Sequence, residues 1–223
     1  MCGRFAFYSP AEATAALFGA TATSDFKPRY NIAPTQDIAA VRNDTEQSAE
    51  LVALRWGLVP FWAKDPSIGN RMINARAETV AEKPSFRAAY KNRRCLILAD
   101  GFYEWRKEGD GKTPYFISLA SGEPFAFAGL WENWTDKESG ESLQTAAIIT
   151  MAANEYMSGL HQRMPVVLQP DFSSRWLAGD KELLDEVAAN SPEFRAWPVD
   201  RRVNNARNEG EDLIVADGPA YAP

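Results

Sequence analysis

The stretch that most restricts the fold of this 223-residue chain lies near its middle. Cys95–Ala99 is an uninterrupted apolar run of strand length, with no polar face to turn to water, and it reads as a buried central strand. Asp100-Gly101 marks a turn or bulge. The next five residues alternate, placing Phe102, Glu104 and Arg106 on one face and Tyr103 and Trp105 on the other. A hairpin loop at Glu108–Thr113 and strands at Tyr115–Leu119, Phe125–Trp131 and Thr145–Thr150 extend an antiparallel series. Glu104, flanked by aromatics, sits where desolvation raises a carboxyl pKa.

On the amino-terminal side, Arg4–Tyr8 reads as a short strand. Ser9-Pro10-Ala11-Glu12 has the capping-box pattern of a helix start, and that helix ends near Gly19. Pro28–Thr35, with two prolines and no period, reads as a structured loop. Ile38–Val41 and Leu51–Trp56 read as strands around a polar loop at Asn43–Glu50. Gly57–Trp62 mixes Gly, Pro and aromatics, which either fold inward or tip a loop. Thr79–Glu82 repeats the capping-box pattern before a short helix that Pro84 restarts and that runs to about Tyr90. Further on, Val166–Leu168 and Phe194–Val199 read as strands, and Asp171–Ala178 and Asp180–Ala189 as helices with Asp N-caps. Val203–Asn208 is loop-like. With no repeat, low-complexity tract or linker, residues 1–223 read as one α+β domain.

No apolar run approaches a membrane span, and no signal peptide opens the chain, so a cytoplasmic location is expected. The two cysteines, Cys2 and Cys95, make no disulfide framework, and with one histidine they make a structural zinc site improbable. The net charge is −6, but its distribution is uneven: residues 1–107 carry +4 and the remainder −10. A local basic groove in the first half is therefore compatible with an acidic chain.

That basic half begins Met1-Cys2-Gly3-Arg4. Cys is small enough for a methionine aminopeptidase to remove Met1, which would leave Cys2 with a free α-amine and a thiol on adjacent carbons. Such an aminothiol condenses with an aldehyde to an imine, and the thiol then closes a thiazolidine ring. The α-amine pKa, near 8, leaves a neutral fraction at physiological pH, and the adjacent ammonium is expected to lower the thiol pKa and enlarge the thiolate fraction. The only histidine, His161, lies in Leu160-His161-Gln162-Arg163-Met164-Pro165. A lone histidine is more often a packed or surface residue than a catalyst.

Six further strings join Met1-Cys2-Gly3-Arg4 in order: Tyr30–Pro34, Arg55–Pro60, Ile73–Thr79, Ala99–Trp105, His161–Pro165 and Val203–Asn205. In these the chain resembles the SRAP (SOS response-associated peptidase) family of abasic-site-processing proteins over nearly its whole length. The departure noticed is Leu98, where many relatives have proline. The resemblance implies mainly antiparallel β-sheets in a barrel-like core with flanking helices. It also implies, without a cofactor or metal, binding of an abasic site in single-stranded DNA and a covalent thiazolidine cross-link from Cys2 to the opened sugar.

By the same resemblance, Asn74 holds Cys2 and the sugar, Glu104 shuttles protons, and His161 assists ring opening, strand cleavage and reversal. Arg4, Arg76 and Arg163 hold phosphates, Asn31 and Pro34 contact the DNA, and Phe61 and Trp62 stack on bases. AP-lyase activity and self-processing before Cys2 are implied as well, in a monomer that acts in the DNA-damage response and makes no membrane contact. Two other readings stay open: an N-terminal-nucleophile, glutamine amidotransferase-like hydrolase, and a non-covalent single-strand-binding module.

Overall fold

The computed structural model of the protein describes residues 2–22 and 26–223. The chain opens with β1 (Phe5–Phe7), α1 (Ala11–Leu17), β2 (Thr21–Ala22), β3 (Arg29–Ile32), β4 (Asp37–Asn43), β5 (Ala49–Trp56), β6 (Asn74–Arg76) and α2 (Arg87–Asn92). The central strands β7 (Arg94–Ala99), β8 (Gly101–Glu108), β9 (Gly111–Leu119), β10 (Phe125–Thr135) and β11 (Ser142–Ala152) follow. The last part holds α3 (Glu155–Ser158), β12 (Arg163–Pro165), β13 (Val167–Leu168), α4 (Ser173–Leu177), α5 (Leu183–Ala189) and β14 (Phe194–Pro198).

The apolar run of β7 is one stave of a closed barrel. β7 pairs antiparallel with β10 and β4, β4 with β5, and β10 with β11. A short parallel contact, Thr145 opposite Arg55 and Ala146 opposite Trp56, joins β11 to β5 and closes the ring. All of β7 is buried, as its unbroken apolar run Cys95–Ala99 requires, and Arg94 is buried with it. A second, antiparallel sheet, in the order β14-β9-β8-β1-β3, packs beside the barrel. The α+β class and barrel-like core are as expected.

The chain crosses from barrel to second sheet at Asp100-Gly101. Asp100, 4% exposed, accepts hydrogen bonds from the backbone N–H groups of Tyr8 (2.6 Å) and Ser9 (2.8 Å) and from the Ser9 hydroxyl. A Cβ at Gly101 would overlap the Phe116 ring and lie 2.8 Å from the Ile117 carbonyl, so only glycine lets β8 lie this close to β9. The hairpin turn that follows is tighter than expected, because Glu108 pairs directly with Gly111.

Several local expectations are corrected. Pro28–Thr35 is not all loop: Arg29–Ile32 is β3, recruited by the free edge of β1, with Phe5 opposite Ile32. Ser9 does not cap α1, because Asp100 takes its hydroxyl. Thr79 starts no helix. Glu82 and Lys83 donate to its carbonyl in a series of turns, Pro84 has no N–H to continue them, and α2 begins only at Arg87. Asp171 caps nothing: a 3₁₀ turn at Pro170–Phe172 leads into α4. Asp180 accepts from Glu182 N–H (2.9 Å) and pairs with Arg175, so the helix starts later, at Leu183. Among the described residues no helix is long and apolar enough to cross a membrane.

Candidate active site

The second sheet fixes the start of the chain. Phe5 sits opposite Phe102, and Tyr103 N–H donates to the Arg4 carbonyl at 2.9 Å, which lays Cys2 beside Glu104. β6 arrives from the barrel side, parallel to β11, and the Asn74 side-chain amide donates to the Cys2 carbonyl at 2.8 Å. Asn74 Oδ1 is buried and accepts no hydrogen bond among the described residues, so a polar acceptor is held ready next to Cys2.

Glu104 is 3% exposed on the face that the alternation assigned to it. Burial raises its carboxyl above the usual range, opposed in part by the nearby His161. A buried carboxyl of this kind holds its proton more tightly and can act as an acid as well as a base. Cys2 is wholly buried, and with Met1 still attached burial, with the negative charge of Glu104 adding to it, pushes the thiol up, against the lowering effect of the amino terminus. While Met1 is attached, the nitrogen of Cys2 is an amide.

His161 follows α3, whose Asn154 cap accepts from Met157 N–H at 2.8 Å, and His161 N–H in turn donates to the Met157 carbonyl. Arg163 N–H donates to His161 Nδ1 at 3.0 Å. Nδ1 also lies 3.1 Å from the Arg163 carbonyl; with the Arg163 N–H donating to it, the neutral ring carries its proton on Nε2. Cys2, Asn74, Glu104 and His161, far apart in sequence, therefore converge.

The expected DNA-contacting residues separate into kinds. Arg76 is exposed, and its guanidinium makes no hydrogen bond or ion pair among the described residues. Arg163 is committed: its fork meets both carboxylate oxygens of Glu78, and Nη2 also donates to the Thr150 carbonyl at 2.7 Å. Arg4 donates from Nη1 to Asn31 Oδ1 and to the Val203 carbonyl, both at 2.7 Å. Asn31 has no exposed surface with which to touch DNA. Its amide donates to the carbonyls of Val203, Asn205 and Asn208 and so ties the loop-like Val203–Asn208 segment under Arg4. Pro34 is half-buried in the turn after β3.

Phe61 and Trp62 are 56% and 46% exposed at the tip of a loop, which decides between the two sequence readings of Gly57–Trp62. Leu58 and Val59 are buried below them, and Trp134 Nε1 donates to the Ala63 carbonyl at 2.7 Å. Gly57 (φ 128°) and Gly69 close the neck: a Cβ on either would lie 2.6 or 2.5 Å from the other's carbonyl oxygen. Sequence reasoning missed Glu78 and Trp134. Glu78 stood inside the Ile73–Thr79 string, whereas no local pattern marks Trp134.

A closed five-stave barrel with a second sheet holding an amino-terminal cysteine against a buried carboxyl, a carboxamide and an imidazole defines a cysteine-centred site beside an aromatic and cationic rim. The chain belongs to the SOS response associated peptidase (SRAP) family, which it matches over residues 1–206. It is 41% identical over 226 residues to abasic site processing protein YoaM of Bacillus subtilis, across 97% of this chain and 99% of that one. To abasic site processing protein YedK of Escherichia coli it is 34% identical, across 96% and 99%. The crystal structure of a Bacteroides thetaiotaomicron protein has the same fold, with a TM-score of 0.85 and 25% identity over 96% of this chain and 99% of that one.

Proposed function

We propose that this protein recognises abasic sites in single-stranded DNA and links itself to them covalently through Cys2, shielding the lesion. The observation that carries the reading is the convergence of Asn74, Glu104 and His161 on the chain start. Removal of Met1 converts the Cys2 amide nitrogen to an amine. The amine adds to the C1′ aldehyde of the opened sugar, and the resulting carbinolamine loses water to give an imine. The thiol then adds to the imine carbon, its proton passing to nitrogen, and the thiazolidine closes; one water leaves overall.

Glu104 suits both proton transfers. Its raised pKa keeps a proton available for the departing water, and once ionised it can take the proton of a thiol that burial keeps protonated. His161 stands next to Glu104 with an imidazole that can exchange a proton with a sugar oxygen, which supports a role in ring opening and in strand cleavage. Arg76 is the rim cation ready for a phosphate, and Phe61 and Trp62 offer stacking surface. The names of the relatives, abasic site processing proteins, agree with this substrate.

Incubation with single-stranded DNA bearing one abasic site, followed by intact mass measurement, tests the reading. The expected product weighs the protein without Met1, plus the DNA, minus one water. DNA retained before but not after denaturation would leave only a non-covalent binding module. Glutamine hydrolysis without any adduct would favour the amidotransferase-like reading.

A further inference from the structure

Past Arg76 and Glu78 the surface carries a feature that the chemistry at Cys2 does not use. Two neighbouring clefts, of about 500 and 670 Å³, share Tyr90 and Lys181 in their walls. The first begins at Ala77 and Glu78, directly after the strand that presents Arg76. The second lies between α2 and the α4–α5 connection, and every charged residue lining it is a cation: Arg87, Lys91, Arg94 and Lys181. In a chain with a net charge of −6 this is a local inversion of sign. None of the four is in an ion pair among the described residues.

Arg94 is the fixed member of the group. Its guanidinium lies 4.4 Å from the Tyr90 ring centroid and 4.3 Å from that of Trp176. Nε donates to the Tyr90 carbonyl at 3.0 Å and Nη1 to the Asp180 carbonyl at 2.6 Å. Rings and carbonyls hold the cation in place without cancelling its charge, which is the arrangement an anion site needs. The other three cations are exposed around it. The first cleft contains two carboxylates; Glu78 is already held by Arg163, and Asp185 is exposed.

We propose that the two clefts form one trough, and that it takes the phosphate backbone of the single strand running away from the lesion on one side. The inference rests on the DNA reading above and goes beyond it by giving one arm of the strand a path and an anchoring group outside the reactive site. Continuity with the Arg76 edge and the sign of the charge identify a polyanionic strand as the occupant. Backbone contacts of this kind are independent of sequence and add to affinity in steps that salt weakens.

The test measures binding of the full-length protein to single-stranded oligonucleotides, undamaged and with one abasic site. The strand is short around the lesion position, then lengthened on the 5′ arm only or the 3′ arm only. Wild type should gain several-fold in affinity from one arm and not from the other. Arg87→Glu with Lys91→Glu and Lys181→Glu should abolish that gain and shrink the log–log salt slope by about 0.7 for each phosphate that is no longer neutralised. The neutral set, Arg87→Gln with Lys91→Gln and Lys181→Gln, should fall between, and circular dichroism checks the fold of both. Binding and cross-linking of the short oligonucleotide should be unchanged in all variants.

An arm gain that survives the charge reversal, or the absence of an arm gain in wild type, would overturn the proposal. The undamaged strands report on the trough even if no adduct forms on abasic DNA. A failure of the cross-linking reading is thus separable from a failure of this one.

Discussion

Cys2 and Cys95 are both wholly buried, and burial pushes both thiols up. Their surroundings share little else. Cys95 stands in the barrel wall, its carbonyl taken by Trp176 Nε1 at 2.8 Å, and faces Gly129, where a Cβ would come within 2.8 Å of its sulfur. Cys2 has the Asn74 amide on its carbonyl and the Glu104 carboxyl near its sulfur. Desolvation alone makes an inert thiol of the Cys95 kind. A reactive one at the same depth needs a partner that can carry its proton during the step, and only the chain start has one among the described residues.

The strongest break of this contrast is exchange of the sulfurs. Cys2→Ser keeps the amine but has a poorer trap, so the stable adduct on abasic DNA should disappear from denaturing gels, leaving at most strand nicking. A heat-stable adduct from that variant would show that the sulfur of Cys2 is not the trap.

Next comes the proton carrier. Glu104→Gln should slow adduct formation by about 10²–10⁴-fold, with DNA binding retained in an anisotropy titration. The carboxyl pKa is higher folded than unfolded, so the folded state binds the extra proton, and stability should fall as pH rises from the ordinary carboxylate value through the raised one. Urea midpoints across that window should show the decline in wild type and its loss in Glu104→Gln. A wild-type midpoint that rises over this range would contradict the assigned direction.

Cys95→Ser is the mirror experiment. A hydroxyl in the barrel wall should cost about 1–3 kcal/mol of stability, read from urea unfolding, while the cross-linking rate stays at the wild-type level. Loss of the adduct in a folded Cys95→Ser protein would erase the distinction between the two cysteines. The smallest effect is expected on the rim. Arg76→Ala should reduce the log–log salt slope of single-strand binding by about 0.7, whereas Arg163→Ala should also lower the melting temperature, since it removes the hydrogen bonds to Glu78 and Thr150.

How much of this is legible in the sequence varies with the range of the forces involved. The strand at Cys95–Ala99 and the alternation from Phe102 depend on the period of the chain itself, and both appear in the structure. The burial of Glu104 does not follow from that alternation, because β8 is covered on both faces here, with Phe102 and Tyr103 wholly buried beside it. The capping patterns at Ser9 and Thr79 mislead because they state what a side chain is able to do locally, while Asp100, 91 residues away, outcompetes the helix for Ser9. Strand β3 is hidden by its prolines, and only the partner edge of β1 reveals it. The engagement of Arg163 by Glu78 joins residues 85 apart, and the seating of Asn31 beneath Arg4 spans the chain from end to end; no pattern within either segment encodes such contacts.

The pinched neck at Gly57 and Gly69 has a consequence for the timing of disorder. The Phe61–Trp62 loop surrenders its freedom when the protein folds, because the two glycine backbones lie in contact and Trp134 holds the Ala63 carbonyl from below. A strand arriving at the tip meets rings already fixed in place, so stacking there does not first have to order the loop. Recognition at this edge should therefore be fast and enthalpic, with the entropic cost met earlier by the fold as a whole.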